Sequence, residues 1–539
     1  MQPSSQELPV SDPALLPAAS EQAHIAGSAS IIALGGVASR MLGVVREAVI
    51  SYFFGASGLV SAFRVASIVP TMLYDLLIGG MLSAALVPVF SEVADREGKD
   101  ALWALFSRVI SLVAAVLAGT VLLIELLAPQ VAWLLSGGFE PELQAAVTRM
   151  IRIITPALLF FGLSGIVTGL LYALKQFTYT ALGAAVFNLG IIIAVPLLKG
   201  QIDIYSLAVG ILFGAVLQLS IQTPGLRGAR LRFILDLSHP ALRRIVVLYL
   251  PIAAGLIISN MQIAIDRRLA SSIPGESIIA WMANATTLFQ LPHGLVAVAI
   301  ALAVLPTLSR LSAAGDQEGF HRTLGQGLRL VLVLILPATL GLLVLARPVV
   351  ALLFEHGQFT AYDTLQTASA LRCYLLGLVF ASIDWQLNYA FYARQNTLIP
   401  ALVGVLSVAV YLVVALLLKD PLGMLGLVLA DSAKHFSHAL TMLVLTQRRI
   451  GGLAGQGLAE TAGKALLAAG IMAGVMAVAI NLVSRWVDAG SKIGGLVIVG
   501  IGVGLGILVY LGLASLLHIK EFGLVRDAVV RRLRPARLD

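Results

Sequence analysis

The chain holds a single cysteine, Cys373, in 539 residues. One thiol cannot close an intramolecular disulfide, and it leaves no set of cysteines to build a metal cluster. Charge is scarce as well. Asp, Glu, Lys and Arg supply only 12% of the residues while hydrophobic types supply 59%. A water-soluble domain of that balance would lack a polar surface to present to solvent. No P-loop motif is present, so nucleotide hydrolysis is not expected. "GIGVGLG" at 500–506 lies inside an apolar run with no preceding strand, where its glycines suit close helix packing better than dinucleotide binding. His435 and His438 lack a third ligand in sequence, and no metal or other cofactor is expected. No connecting loop exceeds about 25 residues, which leaves little room for an enzyme of lipid-linked sugar transfer. The first 26 residues contain no Lys or Arg and so lack the basic start of a signal peptide. Rich in Pro and Ser, they read as a disordered leader.

What the chain has is length of apolar sequence. Runs able to cross a hydrocarbon core of roughly 30 Å recur from end to end. Punctuated at Gly, Pro and charge clusters, they give fourteen expected spans: 27–54, 59–91, 101–128, 145–172, 178–198, 204–222, 245–270, 277–311, 324–346, 366–392, 396–418, 422–446, 463–484 and 493–517. The fold class is therefore an all-α polytopic membrane protein. Lys and Arg divide unevenly between alternate loops, twenty on the side of the termini against seven on the other. That asymmetry places both termini in the cytoplasm. It also explains the net charge of +8 without a nucleic-acid partner.

The sequence repeats at an offset of about 219 residues. "ALVPVFS" at 85–91 faces "AVLPTLS" at 303–309, "PQVAWLL" at 129–135 faces "PVVALLF" at 348–354, and "YALKQFTYTAL" at 172–182 faces "YARQNTLIPAL" at 392–402. Six spans per copy make the repeat parallel, about an axis normal to the membrane. The expected organisation is an N-lobe over 27–225, a basic cytoplasmic loop over 226–244 and a C-lobe over 245–447. A linker with two further helices over 448–517 and a basic tail over 518–539 follow. Two lobes flanking a central cleft suit a carrier. The basic loop and tail suit anionic lipid headgroups.

An ionisable side chain within a span costs at least ~2.5 kcal/mol on insertion scales unless it meets protein or water. Span one carries Arg40, Arg46 and Glu47, with Gly35, Gly36 and Gly43 keeping the backbone slim beside them. Arg40 lies too deep to snorkel, and a guanidinium in a cleft suits an anion, phosphate above all. Span two adds Arg64 and Asp75, span seven Asp266, Arg267 and Arg268, and span ten Asp384. Span twelve holds a stripe of Asp431, Lys434, His435 and His438, read as an Asp–Lys pair with satisfied histidines in preference to a proton relay.

"SRMLGVVREAVISYFFGA" at 39–56, "GGMLSAALVPVFSEV" at 79–93, "LSGIVTGLLYALKQFTYTALGAAVFNLGIII" at 163–193, "LFEHGQFTAYD" at 353–363 and "FYARQNT" at 391–397 resemble the MurJ (MviN) family. Its members are bacterial lipid II flippases related to MATE exporters and polysaccharide flippases. The resemblance implies fourteen spans and a central cavity in which Arg40 and Arg46 meet the diphosphate of an undecaprenyl-linked muropeptide. Glu47 stands where the family usually has aspartate. Ser61, Arg64, Asn188, Asn260 and Gln262 complete the expected substrate-binding set. Sodium, held by Asp266 with Ser407 and Tyr411 of span eleven, or the membrane potential is the implied driving force, and cell-wall synthesis machinery an implied partner. The chain also departs from the family. Ser61-Ala62-Phe63 replaces "DAF", Tyr74, Asp75 and Gly79 replace two arginines and a glutamate, and Ala285-Thr286-Thr287-Leu288 replaces "ADRL". Arg64 is the expected substitute for the lost cations. Another polyprenyl-linked saccharide, or a non-transporting scaffold role, stays open at this point.

Overall fold

The computed structural model describes residues 15–76, 86–229, 231–236, 240–451, 453–487, 491–521 and 523. Among these residues there are eighteen α-helices and no strand. The first half holds α1 (Leu15–Phe54), α2 (Gly58–Tyr74), α3 (Val87–Arg96), α4 (Lys99–Leu126), α5 (Ala128–Ser136), α6 (Pro141–Ile154), α7 (Ala157–Ala173), α8 (Thr178–Ile202) and α9 (Tyr205–Ser220). The second holds α10 (Pro240–Ser271), α11 (Ile278–Pro292), α12 (Ala299–Ala313), α13 (Gln317–Phe354), α14 (Ala361–Ala393), α15 (Leu398–Leu422) and α16 (Met424–Leu445). Helices α17 (Leu458–Val483) and α18 (Lys492–Leu516) end the described chain and pack on α13. Side-chain oxygens start several of these helices, as their first N–H groups require. Ser57 caps α2, Asp316 caps α13, Ser491 caps α18, and Thr360 with Asp363 forms a capping box on α14.

The repeat is visible in the backbone. Left-handed residues end equivalent helices 220 positions apart: Gly55 and Gly275, Lys175 and Gln395, Asp203 and Gly423. Within the first half α1 packs on α8, α8 on α9 and α2 on α6; within the second α14 and α15 pack on α16, and α13 on α14. The halves meet where α1 and α2 lie against α11, and where α5 lies against α10. At the end of the lobes where α1 turns into α2, Gln358 N–H donates to the Tyr52 carbonyl at 3.0 Å and Arg268 to the Trp133 carbonyl at 3.0 Å. The largest buried apolar cluster runs through both lobes here, with Val60 and Phe63 from one and Ile279 and Leu371 from the other. At the opposite end Arg244 reaches Glu92 at 2.6 Å.

Nine of the described helical stretches are long and apolar enough to cross a membrane, ten if the bent pair α6–α7 is one span. The remaining expected spans coincide with α1, α2, α10 and α16, which carry the charges singled out above apart from Asp384 of α14. One local reading is corrected. Residues 15–26 belong to α1 rather than to a disordered leader, because Pro17 sits in a first turn that needs no N–H and good helix formers follow it. Residues 1–14, like the tail beyond 523, lie outside the described residues. The fourth span is not straight: it bends by 41° after Ile154, where Pro156 denies the helix a donor. The eighth passes through a π-helical turn at His293–Val298. The basic loop packs on α4. Arg232 and Ile234 donate backbone N–H groups to Ser107 and Ser111 of α4, and Arg108 pairs with Asp236 at 3.3 Å.

Candidate functional site

The charges of α1 gather other elements around them. Glu47 is 1% exposed, and its carboxylate accepts from Arg46 at 2.7 and 3.1 Å and from both terminal nitrogens of Arg64 on α2. A buried carboxylate needs such partners, because removal from water is otherwise prohibitive. Two guanidiniums on one carboxylate leave the cluster with a net positive charge. Arg46 spends a further nitrogen on Asn188 Oδ1 at 3.0 Å, and the Asn188 amide is fixed by the Ala184 and Ser39 carbonyls at 2.9 and 3.2 Å.

Among the described residues Arg40 has no carboxylate partner. One turn and a half before Arg46, it crosses the gap between lobes and donates to the Gln290 carbonyl of α11 at 3.3 Å. Its guanidinium lies flat against Gly294 in the π turn, where a Cβ would come within 2.0 Å of Nη1. Only glycine leaves that seat open. Between the two arginines is an interlobe cavity of about 180 Å³, lined by Ser39, Arg40, Gly43, Arg46, Asn188, Thr287, Gln290 and Leu291. Leu291 also lines a larger and almost wholly apolar cavity of about 470 Å³ bounded by Leu288, Pro337, Leu342, Met472, Met476, Ile507 and Leu511. A cationic chamber therefore adjoins an apolar groove built by α11, α13, α17 and α18.

The structure brings together Arg40, Arg46, Glu47, Arg64 and Asn188 of the expected set. Arg64 does not line the cavity, because its guanidinium is committed to Glu47 and only 11% exposed. Ser61 is buried and accepts from Ala280 N–H across the lobe interface at 3.3 Å. Asn260 donates to the Met72 carbonyl at 3.4 Å, and Gln262 faces a separate cavity in the C-lobe. Asp266 accepts from the Tyr411 hydroxyl at 2.5 Å and has Arg267 at 3.6 Å on its other oxygen, while Ser407 donates to the Val403 carbonyl. One carboxylate oxygen thus accepts from a hydroxyl while the other faces a guanidinium. Gly79 lies outside the described residues. Gln290 and Gly294 are site residues that the sequence reading missed; the one available signal was a glycine directly after "LPH" in an apolar run.

The family model described as lipid II flippase MurJ matches residues 50–496. The chain belongs to the MurJ family. It is 31% identical over 380 residues to the lipid II flippase MurJ of Burkholderia cenocepacia, covering 68% of this chain and 73% of that protein. It is 27% identical over 514 residues to a probable lipid II flippase MurJ of Vibrio cholerae, covering 92% and 96%. A solved lipid II flippase MurJ in an inward closed conformation superposes with a TM-score of 0.76 at 24% identity, over 92% of this chain and 99% of that one. An inward-facing multidrug resistance MATE family transporter gives 0.66 at 14% identity, over 78% and 96%. MurJ membership makes this a membrane transporter and not an enzyme, with a MATE-like fold.

Proposed function

We propose that the chain is a lipid II flippase that moves the undecaprenyl-linked muropeptide of peptidoglycan synthesis across the bacterial cytoplasmic membrane by alternating access. The observation that carries the reading is the join between the Arg40–Arg46 cavity and the apolar groove at Leu291. A lipid diphosphate needs both: paired guanidiniums for phosphate oxygens, and an apolar surface for the tail. Arg40 is the principal anion contact, because no carboxylate neutralises it. Arg46, positioned by Glu47 and Asn188, offers the second. Binding that favours one lobe arrangement over the other is what would convert affinity into movement.

The test is rescue of a bacterium depleted of its own lipid II flippase. The unaltered gene should restore growth, while Arg40→Ala and Arg46→Ala, expressed equally on a blot, should not. Each lost charge-assisted contact is worth about 1.5–3 kcal/mol, roughly tenfold to a hundredfold in affinity. Rescue by both alanine variants would remove the arginines from the site. A second reading, another polyprenyl-linked saccharide as cargo, draws on Thr287, which lines the cavity where the family pattern has arginine. Failure of the well-expressed parent, with accumulation of a different lipid-linked saccharide in a strain lacking this gene, would favour it.

A further inference from the structure

The C-lobe contains a second polar cavity, of about 390 Å³, between α10, α14, α15 and α16. Its polar lining includes Gln262, Asp384, Asn388, Lys434, His435 and His438. His438 Nδ1 is hydrogen-bonded to Asp384 Oδ1 across the α14–α16 contact. The repeat shows what this pair replaces. In the N-lobe, 220 residues earlier, the same two positions are Ser164 and Gln218, joined by a neutral hydrogen bond of 3.2 Å. The geometry is kept and the chemistry is exchanged for two groups that titrate. One turn along α14, Asn388 Oδ1 is buried without a partner, whereas its N-lobe equivalent Thr168 accepts from Gln222 at 3.1 Å.

The other acids around the cavity are paired to a lysine or an arginine, whereas Asp384 is paired to a histidine. On α16, Lys434 is tied to Asp431 at 2.5 Å, and His435 lies 3.6 Å from the same carboxylate. On α14, Tyr392 lines the cavity; α15 contributes Thr397 and Ser407, which do not titrate, with Tyr411 beyond them on Asp266. On α10, Asp266 and Arg267 lie one turn past Gln262 and pair with each other at 3.6 Å. From the π turn comes His293. The Phe289 ring is stacked between His293 and His435, with centroids 5.8 and 6.3 Å away, and the residue after His293 is the glycine that seats Arg40. The cavity is thus connected by direct packing to the lobe interface.

We propose that the Asp384–His438 pair is a proton-binding site and that its protonation drives the lobe movement of the transport cycle. This rests on the flippase reading above. A proton from cavity water adds to the imidazole of His438, taking the pair from a net charge of −1 to zero, with Asp384 remaining the counter-ion. The proton leaves to water on the far side once the lobes have exchanged arrangements. Coupling requires that the two arrangements hold that proton unequally, and the effect is reciprocal between proton and cargo.

The test uses the full-length protein. In nanodiscs with ¹⁵N-labelled histidine, the resonance that disappears in His438→Gln should respond to pH and should shift in Asp384→Asn. In sodium-free proteoliposomes with the membrane potential clamped, a difference of one pH unit should let a fluorescent lipid II analogue accumulate about tenfold in one leaflet, the ratio one proton per cycle allows. The double variant Asp384→Ser with His438→Gln copies the N-lobe pair; it should still equilibrate the analogue but give a leaflet ratio near one. If it does not insert, Asp384→Asn, which keeps the side chain's shape, carries the same expectation. A parent that equilibrates the analogue without responding to pH, accumulation that follows sodium instead, or accumulation kept by the double variant would each overturn the proposal. A parent that moves no analogue under any condition would overturn the flippase reading, and the proton site would then stand or fall on the His438 titration alone.

Discussion

Glu47 is the keystone of the cationic cluster, and replacing it with glutamine tests that directly. The substitution keeps the shape and removes the charge. At an effective dielectric of about 20, a guanidinium and a carboxylate about 4 Å apart attract by about 4 kcal/mol. Part of that is offset because the carboxylate no longer has to be buried, and measured losses on breaking one partner of a buried pair are about 3–5 kcal/mol. The cost should arise mainly at Arg64, which at 11% exposure has no route to water, whereas Arg46 at 25% can turn toward the cavity. Arg64→Gln should cost less, about 1–2 kcal/mol, since Glu47 keeps its two bonds from Arg46. Adding Arg64→Gln to Glu47→Gln should recover stability. The lone half-buried cysteine provides the assay, because thiol labelling of Cys373 in detergent reports opening of the fold at one site. A loss of 3 kcal/mol corresponds to labelling roughly 100-fold faster. Equal rates for the two single variants, or a double variant faster than Glu47→Gln, would refute the account.

The remaining expectations concern backbone approach. Gly294→Ala would put a methyl within 2.0 Å of a flexible side-chain end, so Arg40 should give way rather than the fold. Cys373 labelling should match the parent while rescue fails as in Arg40→Ala. Gly35→Ala meets the Ala181 carbonyl oxygen at 2.4 Å, a backbone atom that cannot step aside, and should raise the labelling rate by a factor that corresponds to about 1–3 kcal/mol. Gly43→Ala, whose methyl enters open space, should leave the labelling rate unchanged. Thr360→Ala removes the cap that also steadies Asp363, the acceptor of Trp281 Nε1 at 2.8 Å, and should lower the melting temperature by the equivalent of about 0.5–2 kcal/mol.

Much of the architecture was legible because it is written in long apolar runs and recurrent turn residues. The offset of 220 could be counted from "YALKQFTYTAL" and "YARQNTLIPAL" in the sequence itself. Features set by single backbone events were not legible: nothing in "LPHGLVAV" announces a π turn, and Pro156 could have ended a span as easily as bent one. The site divided in the same way. Arg40 and Arg46 stood out as charges at membrane depth. The fate of Arg64 did not, because it depends on how α2 is rotated against α1, and a one-dimensional pattern carries no rotation. Asp384 and His438 were each visible as anomalies, but 54 residues separate them and only the α14–α16 contact makes them a pair.

Arg40 belongs to one lobe and rests on the backbone of the other. While it is seated on Gln290 and Gly294 it acts as a clasp, fastened through one guanidinium N–H to the Gln290 carbonyl. Under the proposed function, an arriving polyanion would compete for that guanidinium and so loosen the lobes by the act of being recognised. Recruitment of the cargo and release of the interface would become one event, and an empty carrier would have a reason to stay shut.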